Sequence, residues 1–142
     1  MSFELICQKF TLPWEGGAKI TNIPGDTGGV TKYGISSTNN PDVDVENLTE
    51  EQAMEIYKER YWNPIAQGQD DNLDMAAFDS AVNCGVGTVK KWLPECDSWA
   101  DITAMRRQHY NNLAAANPND EKFLTGWENR VKALEAFIQE NS

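Results

Sequence analysis

Positive charge is scarce in this chain. Twelve Lys and Arg stand against twenty-two Asp and Glu over 142 residues, a formal net charge of −10. Phosphate backbones are held by clustered cations, so this balance excludes nucleic acid as a partner. Histidine is scarcer still: His109 stands alone and reads as a surface or internally satisfied side chain. The cysteines, Cys7, Cys84 and Cys96, are odd in number and form no CxxC pair, which reads as reduced, structural thiols. With one histidine beside them they do not make a zinc set, and no metal or cofactor is expected. Long apolar runs are missing too. None approaches the roughly 18 residues of a membrane span, and Met1-Ser2-Phe3-Glu4 lacks the basic start and apolar stretch of a secretory signal. The reading is therefore cytoplasmic synthesis without stable membrane insertion.

What is present suits one compact core. At 40% hydrophobic, with five Trp, four Tyr and five Phe, the chain can fill a core and still leave aromatics for a binding surface. No linker or internal repeat breaks it, so residues 1–142 read as a single domain. Its class is mainly α (α+β), with a small irregular or β-hairpin lobe near the N-terminus. Phe3, Ile6, Cys7, Phe10 and Trp14 recur at helical spacing, and Pro13 should end or loosen that helix just before Glu15. Residues 16–48 are rich in Gly, Pro, Asn, Asp, Ser and Thr, with strand pieces expected at Ala18–Thr21 and Val30–Ile35.

Helices follow. Thr49 and Gln52 form a capping box, Leu48 and Ala53 a staple, and Ala53, Ile56, Tyr57 and Tyr61 an inner stripe ending at Pro64. Asp70–Asn83 carries so many small residues that it reads as a central helix, closed by Gly85. Thr88–Leu93 is a short helix before Pro94. Asp101–Ala115 should turn Ile102, Met105 and Leu113 inward. Asn119–Gln139 should bury Phe123, Trp127, Val131, Leu134 and Ile138.

The chemistry concentrates between Glu15 and Thr31. Glu15, Asp26 and Thr31 lie in one window with Gly16, Gly17, Gly25, Gly28 and Gly29 between them. Singly each has an ordinary reading: a helix-end carboxylate, a turn aspartate, a strand threonine. Together they fit a cleft that cuts a glycosidic bond. That reaction needs one carboxyl to protonate the leaving oxygen and a second group to manage water or the developing cation. Glu15 would be the acid, Asp26 the base or electrostatic stabiliser, and Thr31 the group that orients water or Asp26. A carboxyl that donates a proton has to be kept from ionising early, as partial burial beside an aromatic achieves; Trp14 and Trp62 are candidates. The glycines leave room for a sugar ring. Asn83 is read as a substrate contact, four residues from Asp79 on one helix face, although both also fit buried polar residues that tie the helix to its neighbours. Tyr33, Tyr61 and Trp62 fit either core or sugar platform. Trp127 and Arg130 read as structural.

The window resembles the signature of glycoside hydrolase family 108, lysozyme-like muramidases: E-G-G, a segment with Asn and Pro, then D-x-G-G-x-T-x-x-G-I. Here these are Glu15-Gly16-Gly17, then Asn22 and Pro24, then Asp26-Thr27-Gly28-Gly29-Val30-Thr31-Lys32-Tyr33-Gly34-Ile35. Ile56-Tyr57 with Tyr61-Trp62, Phe78-Asp79-Ser80-Ala81-Val82-Asn83-Cys84-Gly85 and Gly126-Trp127-Glu128-Asn129-Arg130-Val131 resemble later pieces of the family in the same order. The resemblance implies that Glu15 is the catalytic acid of a lysozyme-like fold. It implies cleavage between N-acetylmuramic acid and N-acetylglucosamine, with peptidoglycan glycan strands as partner. The Glu–Asp–Thr order is similar to that of inverting phage lysozymes, which adds Asp26 and Thr31.

Two features depart from the family. Lys91–Asp97 is short and lacks a wall-binding pattern that relatives often carry, and Pro13 stands beside the catalytic position. The expected setting is a phage or prophage enzyme made in the host cytoplasm and acting on the cell wall, either as an endolysin or carried on a virion with tail proteins as partners. Two rivals share the same residues. One is an inactive lysozyme-like module that binds glycan or builds a phage tail. The other is a lytic transglycosylase, which needs an acid but has less use for a water-positioning pair.

Overall fold

A computed structural model describes residues 2–20 and 29–141. It divides into two compact units, Phe3–Arg60 and Tyr61–Ser142. The elements are mainly helices, with one two-stranded antiparallel sheet in the first unit, as the sequence led us to expect.

The first unit opens with a helical run in three parts: α1 (Ser2–Ile6), a π-helical turn (Cys7–Thr11) and α2 (Leu12–Trp14). As expected, the helix ends just before Glu15, at Trp14, and it is loosened ahead of Pro13. Proline lacks an N–H and its ring crowds the preceding turn. That preceding turn is wide: the Leu12 N–H reaches back five residues to the Cys7 carbonyl. Phe3, Ile6, Cys7, Phe10 and Leu12 are buried in this unit, as are Val45, Leu48, Ala53 and Tyr57.

The hairpin differs from the expected pairing. β1 (Thr31–Lys32) pairs with β2 (Ile35–Ser36), Thr31 opposite Ser36 and Lys32 opposite Ile35. The segment expected as one strand is thus itself the hairpin, and residues 18–20 form no strand. The cause is local. Tyr33 and Gly34 both have left-handed backbone, φ +53° and +74°, the requirement of a two-residue type I′ turn. Thr21, the end of the other expected strand, lies outside the described residues. α3 (Glu50–Tyr57) starts on the expected capping box: Gln52 N–H donates to Thr49 Oγ1 at 3.2 Å and Thr49 N–H to Gln52 Oε1 at 3.0 Å. A second π-helical turn, Lys58–Trp62, extends it. Ala53 and Tyr57 carry the buried stripe, while Ile56 and Tyr61 are only half-buried.

The second unit is built on α4 (Asp71–Cys84). Asp70 caps it, its carboxylate accepting from Asn72 and Leu73 N–H, and Gly85 closes it at φ +102°. Every residue from Leu73 to Ala81 is buried. Ala76, Ala77, Ser80 and Ala81 let α5 (Val86–Trp92), α6 (Trp99–Ala116) and α7 (Leu124–Glu140) pack close around it. α5 begins two residues earlier than expected, and a 3₁₀ turn (Pro118–Phe123) occupies the expected start of the last helix. Val131, Leu134 and Ile138 are fully buried, but Trp127 is half-buried and Phe123 is exposed. Leu113 is also exposed, not inward, because the buried face of α6 steps by fours through Ile102, Arg106 and Tyr110 and passes Leu113 by.

A charge sits at the centre of this unit. Asp79 is fully buried between two guanidiniums: Arg106 Nη1 donates to Oδ2 at 2.8 Å, and Arg130 donates from Nη2 to Oδ1 at 2.8 Å and from Nε to Oδ2 at 3.2 Å. Burial by itself would raise the Asp79 carboxyl. The charges of Arg130 and Arg106 more than offset that and hold it at about 2, below its ordinary 3.8. Taking one partner away strands the others without water. Asp79→Asn should therefore cost about 3–5 kcal/mol of folding stability in urea titration at neutral pH. The wild-type contribution has a definite pH window. The folded carboxyl is the more acidic one, so its stabilisation is whole above the unfolded value near 3.8 and is lost as pH falls from there through about 2. Urea midpoints measured across that range should fall more steeply for wild type than for Asp79→Asn.

Candidate active site

Glu15 is held by the way its helix stops. It is the C-terminal cap of α2, with φ −90° and ψ +12°, in the sparsely used bridge region where many active-site residues lie. Gly16 follows in a left-handed conformation at φ +99°, and Gly17 at φ +58°. The Gly17 N–H returns to the Leu12 carbonyl at 2.9 Å and the Gly16 N–H to the Pro13 carbonyl at 3.2 Å. That pair of bonds is the Schellman helix stop, which calls for a glycine just past the cap. The E-G-G spacing is thus a geometric unit: a carboxylate on the half-buried cap residue, then a sharp reversal.

The hairpin turn comes back onto this reversal. The Tyr33 N–H donates to the Gly17 carbonyl at 3.0 Å. A Cβ on Gly34 would lie 3.0 Å from the Glu15 Cβ and 2.6 Å from the Tyr57 hydroxyl, so only glycine fits the gap. The Tyr57 hydroxyl donates to the Tyr33 carbonyl at 2.6 Å. At the hairpin's open end, Val30 N–H donates to Ser37 Oγ at 3.0 Å and Ser37 N–H to the Val30 carbonyl at 2.8 Å. Thr31 is half-buried on β1, two residues from the turn that touches Glu15. Asp26 lies outside the described residues, as do Asn22 and Pro24.

Of the aromatics named for Glu15, Trp14 is 42% exposed and packs its ring on Phe10 at 6.0 Å. Trp62 belongs to the second unit, half-buried and edge-on to Phe78 at 5.8 Å. Tyr33 is only 9% exposed, so its ring is not an open sugar platform.

Asn83 is half-exposed in the last turn of α4, and its side chain is oriented by a relay. Arg106 Nε donates to the Tyr110 hydroxyl at 2.7 Å, and that hydroxyl donates in turn to Asn83 Oδ1. Arginine can only donate, so the Tyr110 oxygen must accept and its proton must go on to Asn83. Burial pushes the Tyr110 hydroxyl up to about 12, so that proton stays in place. Asn83 is left with its carbonyl engaged and its amide N–H groups as the outward donors. The sequence placed Asp79 and Asn83 on one face but missed Arg106 and Tyr110, which fix both. Their signal was an arginine in step with the apolar Ile102 and Tyr110 on α6.

None of the three cysteines forms a disulfide. Burial pushes the Cys84 thiol up. His109 is half-buried, its ring 5.6 Å from Trp92. Among the described residues no three His, Cys, Asp or Glu converge where they could hold a metal ion, and no helix is long and apolar enough to cross a membrane.

No curated protein and no solved structure matches this chain. A family description does: Glycosyl hydrolase 108 matches residues 8–85. The match takes in the helix stop at Glu15, the hairpin, α3 and α4 through Gly85, and leaves out the Gly126–Val131 piece. It spans more than half of the sequence, and the chain belongs to glycosyl hydrolase family 108.

Proposed function

We propose that this protein is an N-acetylmuramidase that hydrolyses peptidoglycan between N-acetylmuramic acid and N-acetylglucosamine. Family membership makes it a glycoside hydrolase, at the family level a lysozyme-like peptidoglycan hydrolase acting on a glycan. The finer reading rests chiefly on one observation: Glu15 caps a helix whose glycine reversal receives the hairpin carrying Thr31. In this reading the Glu15 carboxyl gives its proton to the glycosidic oxygen as the C–O bond breaks. Asp26 takes a proton from the attacking water or stabilises the cationic sugar, and water completes a reducing muramic-acid end. The Thr31 hydroxyl has no hydrogen-bond partner among the described residues, which leaves it available to water or to Asp26. Asn83 and Trp62 are the proposed glycan contacts. The donor face of Asn83 suits the carbonyl of an N-acetyl group. Tyr33 serves through its backbone in the turn more than through its covered ring.

The setting we infer is phage lysis or entry. A chain at −10 is repelled over long range by an anionic wall, and that repulsion is screened within about 10 Å at 0.1 M salt. Local delivery, through a membrane lesion or on a particle, makes long-range attraction unnecessary.

Digestion of purified peptidoglycan with mass analysis of the products tests the chemistry. Wild type should release reducing muramic-acid ends, and Glu15→Gln should release none while unfolding at nearly the wild-type temperature. Asp26→Asn should lose most of the rate and Thr31→Ala less. Anhydro ends would replace the hydrolase by a transglycosylase, and wild-type rates in all three variants would remove the mechanism. A second series tests Asn83. Asn83→Asp keeps an acceptor for Tyr110 but turns the outward donor into an acceptor, and should raise KM by about tenfold. An unchanged KM would take Asn83 out of the binding surface.

A further inference from the structure

We propose that Tyr57 is a positioning residue for Glu15, acting through the hairpin turn. The inference rests on Glu15 being the proton donor and adds a residue that has no role in the reaction as drawn above.

The observations form a chain of contacts. Tyr57 is 3% exposed on α3, and its hydroxyl donates to the Tyr33 carbonyl at 2.6 Å. Tyr33 holds φ +53°, the one non-glycine among the described residues with positive φ. Left-handed backbone costs a residue with a bulky side chain about 1–3 kcal/mol and persists only where the surroundings over-determine it. Here they do: the Tyr33 N–H is bound by the Gly17 carbonyl and its carbonyl by Tyr57. One residue on, Gly34 lies in the gap between the Tyr57 hydroxyl and the Glu15 Cβ.

These contacts make a stack in which each layer sets the next. The Tyr57 hydroxyl fixes the turn's carbonyl, the turn fixes Gly34, and the Gly34 backbone is the wall against which the Glu15 side chain starts. A carboxyl that must meet a glycosidic oxygen at hydrogen-bond distance depends on that wall, because a displacement near 1 Å can cost about a hundredfold in rate. The tyrosine ring fills core volume that phenylalanine would fill equally. The hydroxyl is what reaches the turn.

Removing only that hydroxyl tests the inference. Wild type, Glu15→Gln and Tyr57→Phe are assayed on purified peptidoglycan, with kcat and KM from released reducing ends and folding checked by circular dichroism at the assay temperature. Tyr57→Phe should keep a native spectrum, lose about ten- to hundredfold in kcat, and keep KM within about twofold. Replacing Tyr57 by p-aminophenylalanine restores a weaker donor at the same place and should give an intermediate kcat. A folded Tyr57→Phe protein with wild-type kcat overturns the proposal. So does a kcat loss that only tracks the unfolded fraction. Should Tyr57→Phe not fold, the p-aminophenylalanine protein carries the test alone: a several-fold lower kcat at unchanged KM supports the role, and a wild-type kcat removes it. Full activity in Glu15→Gln would overturn the acid assignment itself, an outcome distinct from an inert Glu15→Gln beside a wild-type Tyr57→Phe.

Discussion

A helix can present a carboxylate on its cap residue and then turn away sharply only if the next residue accepts left-handed backbone. That constraint governs the first unit. Gly16 meets it at φ +99°, and the reversal leaves the Gly17 carbonyl free to receive the Tyr33 N–H. From that bond the rest follows. The hairpin turn is held against Glu15, Gly34 has no room for a side chain, and Tyr57 closes the stack from α3. Residues at 15–17, 33–34 and 57, far apart in sequence, are one packing unit. A side chain on Gly16 would strain the helix stop and, through it, everything laid on the reversal.

The second unit meets a different constraint. α4 is buried along nine consecutive residues, Leu73 to Ala81, so any polar group on it must find partners inside the protein. Asp79 finds two arginines, from α6 and α7, and Asp74 accepts from the Gln67 and Gly68 N–H groups at 2.9 Å each. In such a buried network desolvation offsets much of the Coulomb attraction. What it fixes here is direction. Charge on Asp79 orients Arg106, Arg106 decides which way the Tyr110 hydroxyl points, and Tyr110 decides which end of the Asn83 amide faces outward. Beside this core, Arg107 joins α6 to Glu128 and Glu135 of α7, at 2.9 Å and 2.6 Å. Those groups are half-exposed and contribute far less to stability.

The parts legible in the sequence were the parts decided locally. Thr49 and Gln52 are three residues apart, and their reciprocal bonds depend on little else. The small residues of α4 and the apolar spacing of α7 announce burial for the same reason. What escaped was set by tertiary partners. The hairpin register depended on Tyr33 adopting a conformation that nothing in its identity favours. Leu113 and Phe123 have core composition, yet the buried face of α6 follows Arg106 and Tyr110, and Phe123 sits in a 3₁₀ turn ahead of α7. At the candidate site, the motif residues were readable as a set. The stack that orders Glu15, Gly34 and Tyr57 was not, because it joins segments whose spacing carries no period.

Charge sets the last constraint on how such a protein can hold its substrate. Among the described residues the buried ions balance, Arg106 and Arg130 against Asp74 and Asp79, so none of the net −10 is accounted for there. An acidic protein that binds a polymer of neutral sugars and anionic groups cannot rely on long-range attraction. It has to rely on contacts that act within a few ångströms: amide donors, aromatic faces and glycine-lined space that a sugar ring can enter. In the proposed reading, Asn83 and the reversal at Glu15 supply such contacts. Asn83 is aimed by Asp79, Arg106 and Tyr110 behind it, and the backbone at Tyr33 is strained so that glycine alone lies against Glu15. The two devices share a logic in which short-range geometry, fixed in advance by buried polar groups, stands in for attraction at a distance.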